Sequence, residues 1–266
     1  MPLRLTPTFR DRLATTDRTL YGGWICSGSP VVAEIMAGAG LDWLLIDMEH
    51  APNGLESVLA QLYAVSGYPS TPVVRVPAGD AVIIKQVLDL GAQNILVPMI
   101  STPEEAKAIT AMTRYPPAGV RGVGSALARS ARWNRVEGYL RDDDAHVSVF
   151  VQIETAEGVE NARAIAETGV DGVFVGPSDL AASMGLIGQQ THPEVVAAVK
   201  RAFAGIAEAG KPFGVNAFDP VAARDYAAAG ARFVLVGADV ALLARASEEL
   251  AGTYLASTAQ APRTSY

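Results

Sequence analysis

The 266-residue chain predicts an α/β fold, a (β/α)8 TIM barrel. Eight short, β-branched apolar runs alternate with stretches of helical period. The runs are apolar on both faces, as parallel strands covered on both sides must be. No linker or composition break divides the chain, although two doubly wound halves would need one. A length prior of about 150 residues per domain leaves two domains open, but barrels of about 250 residues are ordinary. We therefore expect one barrel domain over 1–266, with its core at about 8–255 and a short polar tail.

The predicted strands are 22–27, 43–48, 72–76, 94–99, 147–154, 172–176, 212–216 and 233–237. Between them, 81–90 (AVIIKQVLDL) sets Ile83, Ile84, Val87 and Leu88 on one stripe. The segment 102–109 opens with Thr102 as N-cap, Pro103 at the first helical position and Glu105 closing a capping box. Asp219-Pro220 opens another helix in the same manner. Further helices fit 30–39, 54–65, 156–167, 193–209 and 239–251. The Arg- and Gly-rich stretch 114–145 has no such period. It is expected as an excursion packed on or near the active face, with a plain surface insertion as the alternative.

Composition narrows the function. The chain has 28 acidic and 21 basic side chains, for a net charge of −7, which disfavours a nucleic-acid or anionic-membrane surface. One cysteine excludes a disulfide framework and a multi-cysteine metal cluster. The N-terminus, MPLRLTPTFRDRL, lacks the apolar core of a secretion signal, and charges break every apolar run short of a membrane span. A cytoplasmic location is the expectation. Schiff-base chemistry needs a lysine on an inner strand, yet Lys85, Lys107 and Lys200 fall in helices and Lys211 precedes strand seven at the wrong rim.

Catalytic groups of such a barrel project from the carboxyl ends of its strands. Those ends carry Trp24, Cys26 and Ser27; Asp47, Glu49 and His50; Arg75; Gln152 and Glu154; Gly176, Pro177, Ser178 and Asp179; Asn216; and Asp239. Glu154 and Asp179 follow adjacent strands and can share one ion. An all-oxygen site suits Mg²⁺ or Mn²⁺, with a salt bridge for Glu154 and a helix N-cap for Asp179 as the bland alternatives. His50 is the general-base candidate, because imidazole titrates near neutrality. His146 and His192 fit surface positions. Arg75 interrupts an apolar strand and needs an anion, either substrate or a structural pair with Glu49 or Glu154. Asp89 lies in a last helical turn at the opposite rim, where the sequence alone favours a solvated carboxylate. Cys26 fits packing better than nucleophilic chemistry.

The segments GLDWLLIDMEHAPN (40–53), TPVVRVP (71–77), IKQVLDLGAQNILVPM (84–99), TRYPPAGVRGVGSALARSARWNR (113–135), VQIETAEGV (151–159) and GVDGVFVGPSDLAASMG (169–185) resemble the HpcH/HpaI aldolases, class II metal-dependent pyruvate aldolases. The resemblance covers about residues 8–255. It implies reversible cleavage of 4-hydroxy-2-oxoacids to pyruvate, or a pyruvate analogue, and an aldehyde through an enolate. It implies a divalent metal on Glu154 and Asp179, with Mg or Mn first and Co, Ni or Zn as further candidates. His50 would act as acid/base through a water, and Arg75 would stabilise the enolate. Gln152 and the segment Gly176, Pro177 and Ser178 would bind pyruvate, and Trp24 and Asn216 the substrate. Asp47 and Glu49 would support the His50 loop. Asp89 would pair with the histidine across a subunit interface. The resemblance further implies a homohexamer, a trimer of dimers, with the C-terminal helix swapped between subunits. The sequence departs from the family at Met48, where a small residue is usual, and at Asn216 and Phe218, where the heptanedioate enzymes are aliphatic. We expect Asn216 to favour a polar aldehyde. A CoA-ester lyase of the malyl or citramalyl type is the nearest alternative, but the tail after residue 255 is short and polar for its extra cleft. A non-catalytic 2-oxoacid-binding barrel is the other, and the presence of His50 and Arg75 speaks against it.

Overall fold

The structure, a computed structural model, describes residues 3–255. The strands are β1 (Leu20–Ile25), β2 (Trp43–Asp47), β3 (Thr71–Arg75), β4 (Asn94–Val97), β5 (Ser148–Ile153), β6 (Gly172–Val175), β7 (Phe213–Asn216) and β8 (Phe233–Ala238). They pair in parallel and in chain order, and β1 closes on β8. The helices are α1 (Phe9–Ala14), α2 (Pro30–Gly38), α3 (Leu55–Val65), α4 (Ala81–Asp89), α5 (Pro103–Thr113), α6 (Asp143–His146), α7 (Ala156–Glu160), α8 (Ala162–Ala166), α9 (Pro177–Ser183), α10 (Pro193–Glu208), α11 (Pro220–Ala228) and α12 (Asp239–Tyr254). This is the (β/α)8 barrel the sequence predicts. Among the described residues no helix is long and apolar enough to cross a membrane.

Strand parity divides the apolar residues into two cores. Leu44, Ile46, Val74, Ile95, Val149, Val151, Val173 and Val215 face the helices. Leu20, Trp24, Trp43, Leu45, Val73, Leu96, Phe150, Phe174, Phe233 and Leu235 fill the barrel. Successive side chains of a strand alternate faces. The residues two beyond Leu45, Val73 and Phe150 are Asp47, Arg75 and Gln152. The interior parity that packs the barrel therefore delivers polar groups to its carboxyl mouth.

The opposite mouth is plugged by α1. Thr8 caps it in a reciprocal box with Asp11. Phe9 enters the barrel floor, 5.0 Å from Trp43, 5.3 Å from Phe150 and 5.5 Å from Phe233 between ring centroids. These tilted and edge-to-face ring contacts fill the floor.

The capping box of Thr102 with Glu105, and Asp219 as N-cap with Pro220 at the first helical position, are present as expected. Other expectations need correction. The helix placed at 156–167 breaks into α7 and α8 at Asn161, whose side chain donates to the Ser101 carbonyl. Asp179 is not the N-cap of its helix: Gly176 holds that place and Asp179 sits in the first turn of α9. The 114–145 excursion packs not on the active face but at the amino-terminal rim. Arg121 pairs with Asp89 at 2.9 Å, and Arg129 donates to the Leu90 carbonyl at the end of α4 and covers the Tyr63 ring of α3. The carboxyl ends of barrel helices lie at that rim.

Candidate active site

Adjacent strands bring Asp47 and Arg75 into direct register. Arg75 Nε and Nη2 donate to the two Asp47 oxygens at 2.8 and 2.9 Å, a bidentate pair buried from solvent. Arg75 Nη1 also lies 2.9 Å from Glu49 Oε2, an oxygen that accepts no aligned hydrogen bond. The Trp24 ring covers the guanidinium, with Cζ 4.4 Å from its centroid. Burial works against the Arg75 charge, but the Asp47 hydrogen bonds and the charges of Asp47, Glu49 and Glu154 outweigh it and hold Arg75 above its ordinary range. Asp47 takes only two of five guanidinium donors in aligned hydrogen bonds, so N–H groups on Nη1 and Nη2 remain for an anion. The structural partner of Arg75 is thus Asp47 with Glu49, not Glu154.

Asp47 also accepts from the Glu49 N–H at 3.0 Å and the His50 N–H at 3.3 Å, folding the loop after β2 onto the strand end. Asn53 clamps the same turn by donating to the Asp47 carbonyl. The His50 side chain stands in solvent, 66% exposed, with Nε2 3.9 Å from Glu49 Oε1.

Across the mouth, Glu154 follows β5 and is 2% exposed. The register sets Ile153 beside Val175, and hence Glu154 beside Gly176. A Cβ on Gly176 would stand 2.8 Å from Glu154 Oε2 and 3.0 Å from Gln152 Nε2, so glycine makes room for the carboxylate. Glu154 accepts from Gln152 Nε2 and, at 2.7 Å, from the Met99 N–H. Met99 adopts a left-handed backbone, φ 58°, a strained state for a non-glycine residue that accompanies this contact. Its role has no signal in the sequence. Burial, with the charges of Asp179 and Glu49, pushes the Glu154 carboxyl up to about 7 against those hydrogen bonds. Burial likewise raises Glu49.

A carboxylate with this deficit of positive charge fits a hard divalent cation. Gln152 Oε1 is buried without a hydrogen-bond partner, a further oxygen donor left unused. Among the described residues no three His, Cys, Asp or Glu side chains converge as a cage. Two carboxylates, Glu154 and Asp179, with water or substrate completing the shell, match the habit of Mg²⁺ rather than a closed structural site.

Of the other expected residues, Asn216 accepts from Trp24 Nε1 at 2.8 Å and joins the mouth. Asp89 stands at the other rim, paired with Arg121 rather than with His50 of its own chain. Asp239 is buried and binds the Cys26 and Ser27 N–H groups, stitching β8 to β1. Burial drives the Cys26 thiol up to about 12, consistent with packing. His192 caps α10 and His146 stacks on Tyr139.

A (β/α)8 barrel with buried carboxylates and an arginine at its carboxyl mouth has the arrangement of a barrel enzyme's active site. Residues 20–246 match the HpcH/HpaI aldolase/citrate lyase family, and the chain belongs to it. A hydroxypyruvate/pyruvate aldolase of Deinococcus radiodurans is 51% identical over 257 residues, covering 95% of this chain and 92% of its own. A 4-hydroxy-2-oxo-heptane-1,7-dioate aldolase of Salmonella dublin is 50% identical, covering 92% and 94%. A solved HpcH/HpaI aldolase/citrate lyase family protein from Burkholderia cenocepacia J2315 shares the fold at a TM-score of 0.89 and 44% identity, over 93% of this chain and 99% of that one.

Proposed function

We propose that the protein is a divalent-metal-dependent aldolase that reversibly cleaves 4-hydroxy-2-oxoacids to pyruvate, or a substituted pyruvate, and an aldehyde. The observation that carries this reading is the buried Glu154, short of countercharge beside Asp179 and facing a mouth that also holds Arg75. Glu154 and Asp179 would hold the metal, with Mg²⁺ or Mn²⁺ suited to their oxygens. When bound, the metal supplies Lewis acidity toward the 2-oxo group.

The chain's own residues account for the rest. Backbone N–H groups at the start of α9, after Gly176, receive the substrate carboxylate. Free N–H groups of Arg75 stabilise negative charge developing on the C2 oxygen, inside a site where Asp47 fixes the guanidinium in advance. In cleavage, His50, through a water, takes the C4 hydroxyl proton. The C3–C4 bond breaks, its electron pair moves onto C3 and the C2 oxygen as an enolate, and the C4 oxygen becomes the aldehyde carbonyl. A proton then returns to C3 to give pyruvate. Asp47 positions the base by holding the His50 N–H. Asp89 would meet a neighbouring subunit's histidine. The exposed Leu242, Leu243 and Leu250 on α12 support a homo-oligomer.

Pyruvate release from a 4-hydroxy-2-oxoacid tests the reading. Release should stop in EDTA, return with Mg²⁺ or Mn²⁺, and be lost in Glu154→Gln. Release that is unchanged after complete metal removal would sink it.

A further inference from the structure

A cavity of about 250 Å³ opens at the amino-terminal rim of the barrel, where β3 and β4 begin at Thr71 and Asn94. Arg12 of α1, with Arg129 and Arg132 of the 114–145 segment, lines it, and no Asp or Glu does. Among the described residues no carboxylate forms an ion pair with any of the three. Asp42 feels the charge of Arg12 but is paired with Arg18. The Tyr68 hydroxyl donates to Glu34, and Glu34 does not line the cavity. Three half-buried cations thus share one cavity to which the chain brings no countercharge.

Two of these guanidiniums are held in place. Arg129 Nη1 donates to the Leu90 carbonyl at 3.0 Å, and its Cζ lies 4.6 Å from the Tyr63 ring centroid. Arg132 Nη1 donates to the Arg129 carbonyl. Gly91, in a left-handed backbone at φ 93°, lets both approach: a Cβ there would stand 2.7 Å from Arg129 Nη1 and 3.0 Å from Arg132 Nη1. Burial, then the Arg132 charge, holds Arg129 below its ordinary range, and burial lowers Arg132. A guanidinium carries five N–H donors, so each keeps donors for a ligand. The Arg12 side chain donates no hydrogen bond among the described residues.

We propose that this cavity is a binding site for a dianionic oxyanion, and that a phosphate monoester of a small molecule is the ligand it fits. Guanidinium forks meet tetrahedral oxyanions through paired N–H groups. A phosphate monoester is largely dianionic near neutrality and would balance charges that are costly to leave half-buried and unpaired. Leu62, Val65 and Pro69 form an apolar wall for the carbon part of the ligand. The site lies at the opposite rim from Glu154 and Arg75, so binding there is independent of the aldolase reading.

Calorimetric titration of the metal-loaded protein with glycerol 3-phosphate tests this, with succinate as the dicarboxylate control. Glycerol 3-phosphate should bind with a Kd of about 1 mM or tighter. Arg12→Gln and Arg132→Gln should each raise that Kd about tenfold or more. Arg12→Gln should leave urea unfolding and deuterium exchange into pyruvate unchanged. Arg75→Lys, at the other mouth, should not alter the Kd. No binding up to about 10 mM, or binding that both rim variants leave unchanged, would overturn the proposal. Succinate binding as tightly would overturn the phosphate assignment. A change of assembly mass in Arg132→Gln, read by light scattering, would assign the arginines to a partner subunit's carboxylates and overturn it too. Intact binding with no pyruvate exchange would instead count against the aldolase reading alone.

Discussion

Replacing Glu154 by Gln should make the metal-free protein more stable at pH 8. The carboxyl is 2% exposed, and its proton affinity is raised from an ordinary 4.5 to about 7, first by burial and then by Asp179 and Glu49. Between those values the folded chain keeps a proton that the unfolded chain has released. Stability of the metal-free protein from this group is therefore fullest below about pH 4.5, falls as pH rises through the window, and levels off above about 7. At about 1.4 kcal/mol per pH unit, the penalty is on the order of 3 kcal/mol at pH 8. Gln carries no charge to bury. Its Oε1 can keep the Met99 N–H, and Gln152 can turn its unpartnered Oε1 toward the new amide. Urea unfolding of both proteins in EDTA from pH 5 to 8 measures the difference. The variant should gain on the wild type by about 3 kcal/mol across that range. Adding the divalent metal should restore wild-type stability and leave the variant unmoved. A variant no more stable than wild type at pH 8, or a difference independent of pH, would mean that burial of the Glu154 charge does not destabilise the metal-free protein.

Other perturbations separate the machinery from its scaffold. Gly176→Ala introduces a methyl 2.8 Å from Glu154 Oε2 and should weaken metal affinity about 10- to 100-fold, measured by calorimetric titration, with little change in unfolding. Arg75→Lys keeps the charge but loses the two-point hold on Asp47, and should lower kcat about 100-fold or more while metal affinity stays within a few-fold. Phe9→Ala removes the floor of the barrel and should cost about 3–5 kcal/mol in urea unfolding, with KM for pyruvate unchanged because the site lies at the other mouth.

The barrel was legible because its code is local. Apolar runs such as WLLID and FVQI, and caps such as Thr102 with Glu105, state their structure within a few residues. The polar residues that end those strands named most of the mouth. What the sequence did not disclose depends on register and on distant contacts. Asp47 partners Arg75 because β2 and β3 align those two residues, and no spacing along the chain specifies this. Helix α1 is six residues long, too short for a periodic signal, and its worth lies in Phe9 meeting Trp43 and Phe150 from distant strands. The 114–145 segment lacks period, and its Arg- and Gly-rich chemistry pointed to the wrong rim: it was expected near the active face, whereas its arginines lie at the amino-terminal rim, on Asp89 and Leu90 at the end of α4. Met99 reaches Glu154 through a left-handed backbone that nothing in its side chain requires.

We propose that Glu154 and Asp179 would hold a divalent ion, and that Arg75 opposite them stabilises the enolate formed when pyruvate loses a C3 proton. Proton NMR of the pyruvate methyl signal in D2O, with enzyme and no aldehyde, reads this directly. Exchange should proceed with Mg²⁺ or Mn²⁺, cease in EDTA, and be absent in both Glu154→Gln and Asp179→Asn. Exchange that continues at the same rate in EDTA, or in either variant, would contradict the account.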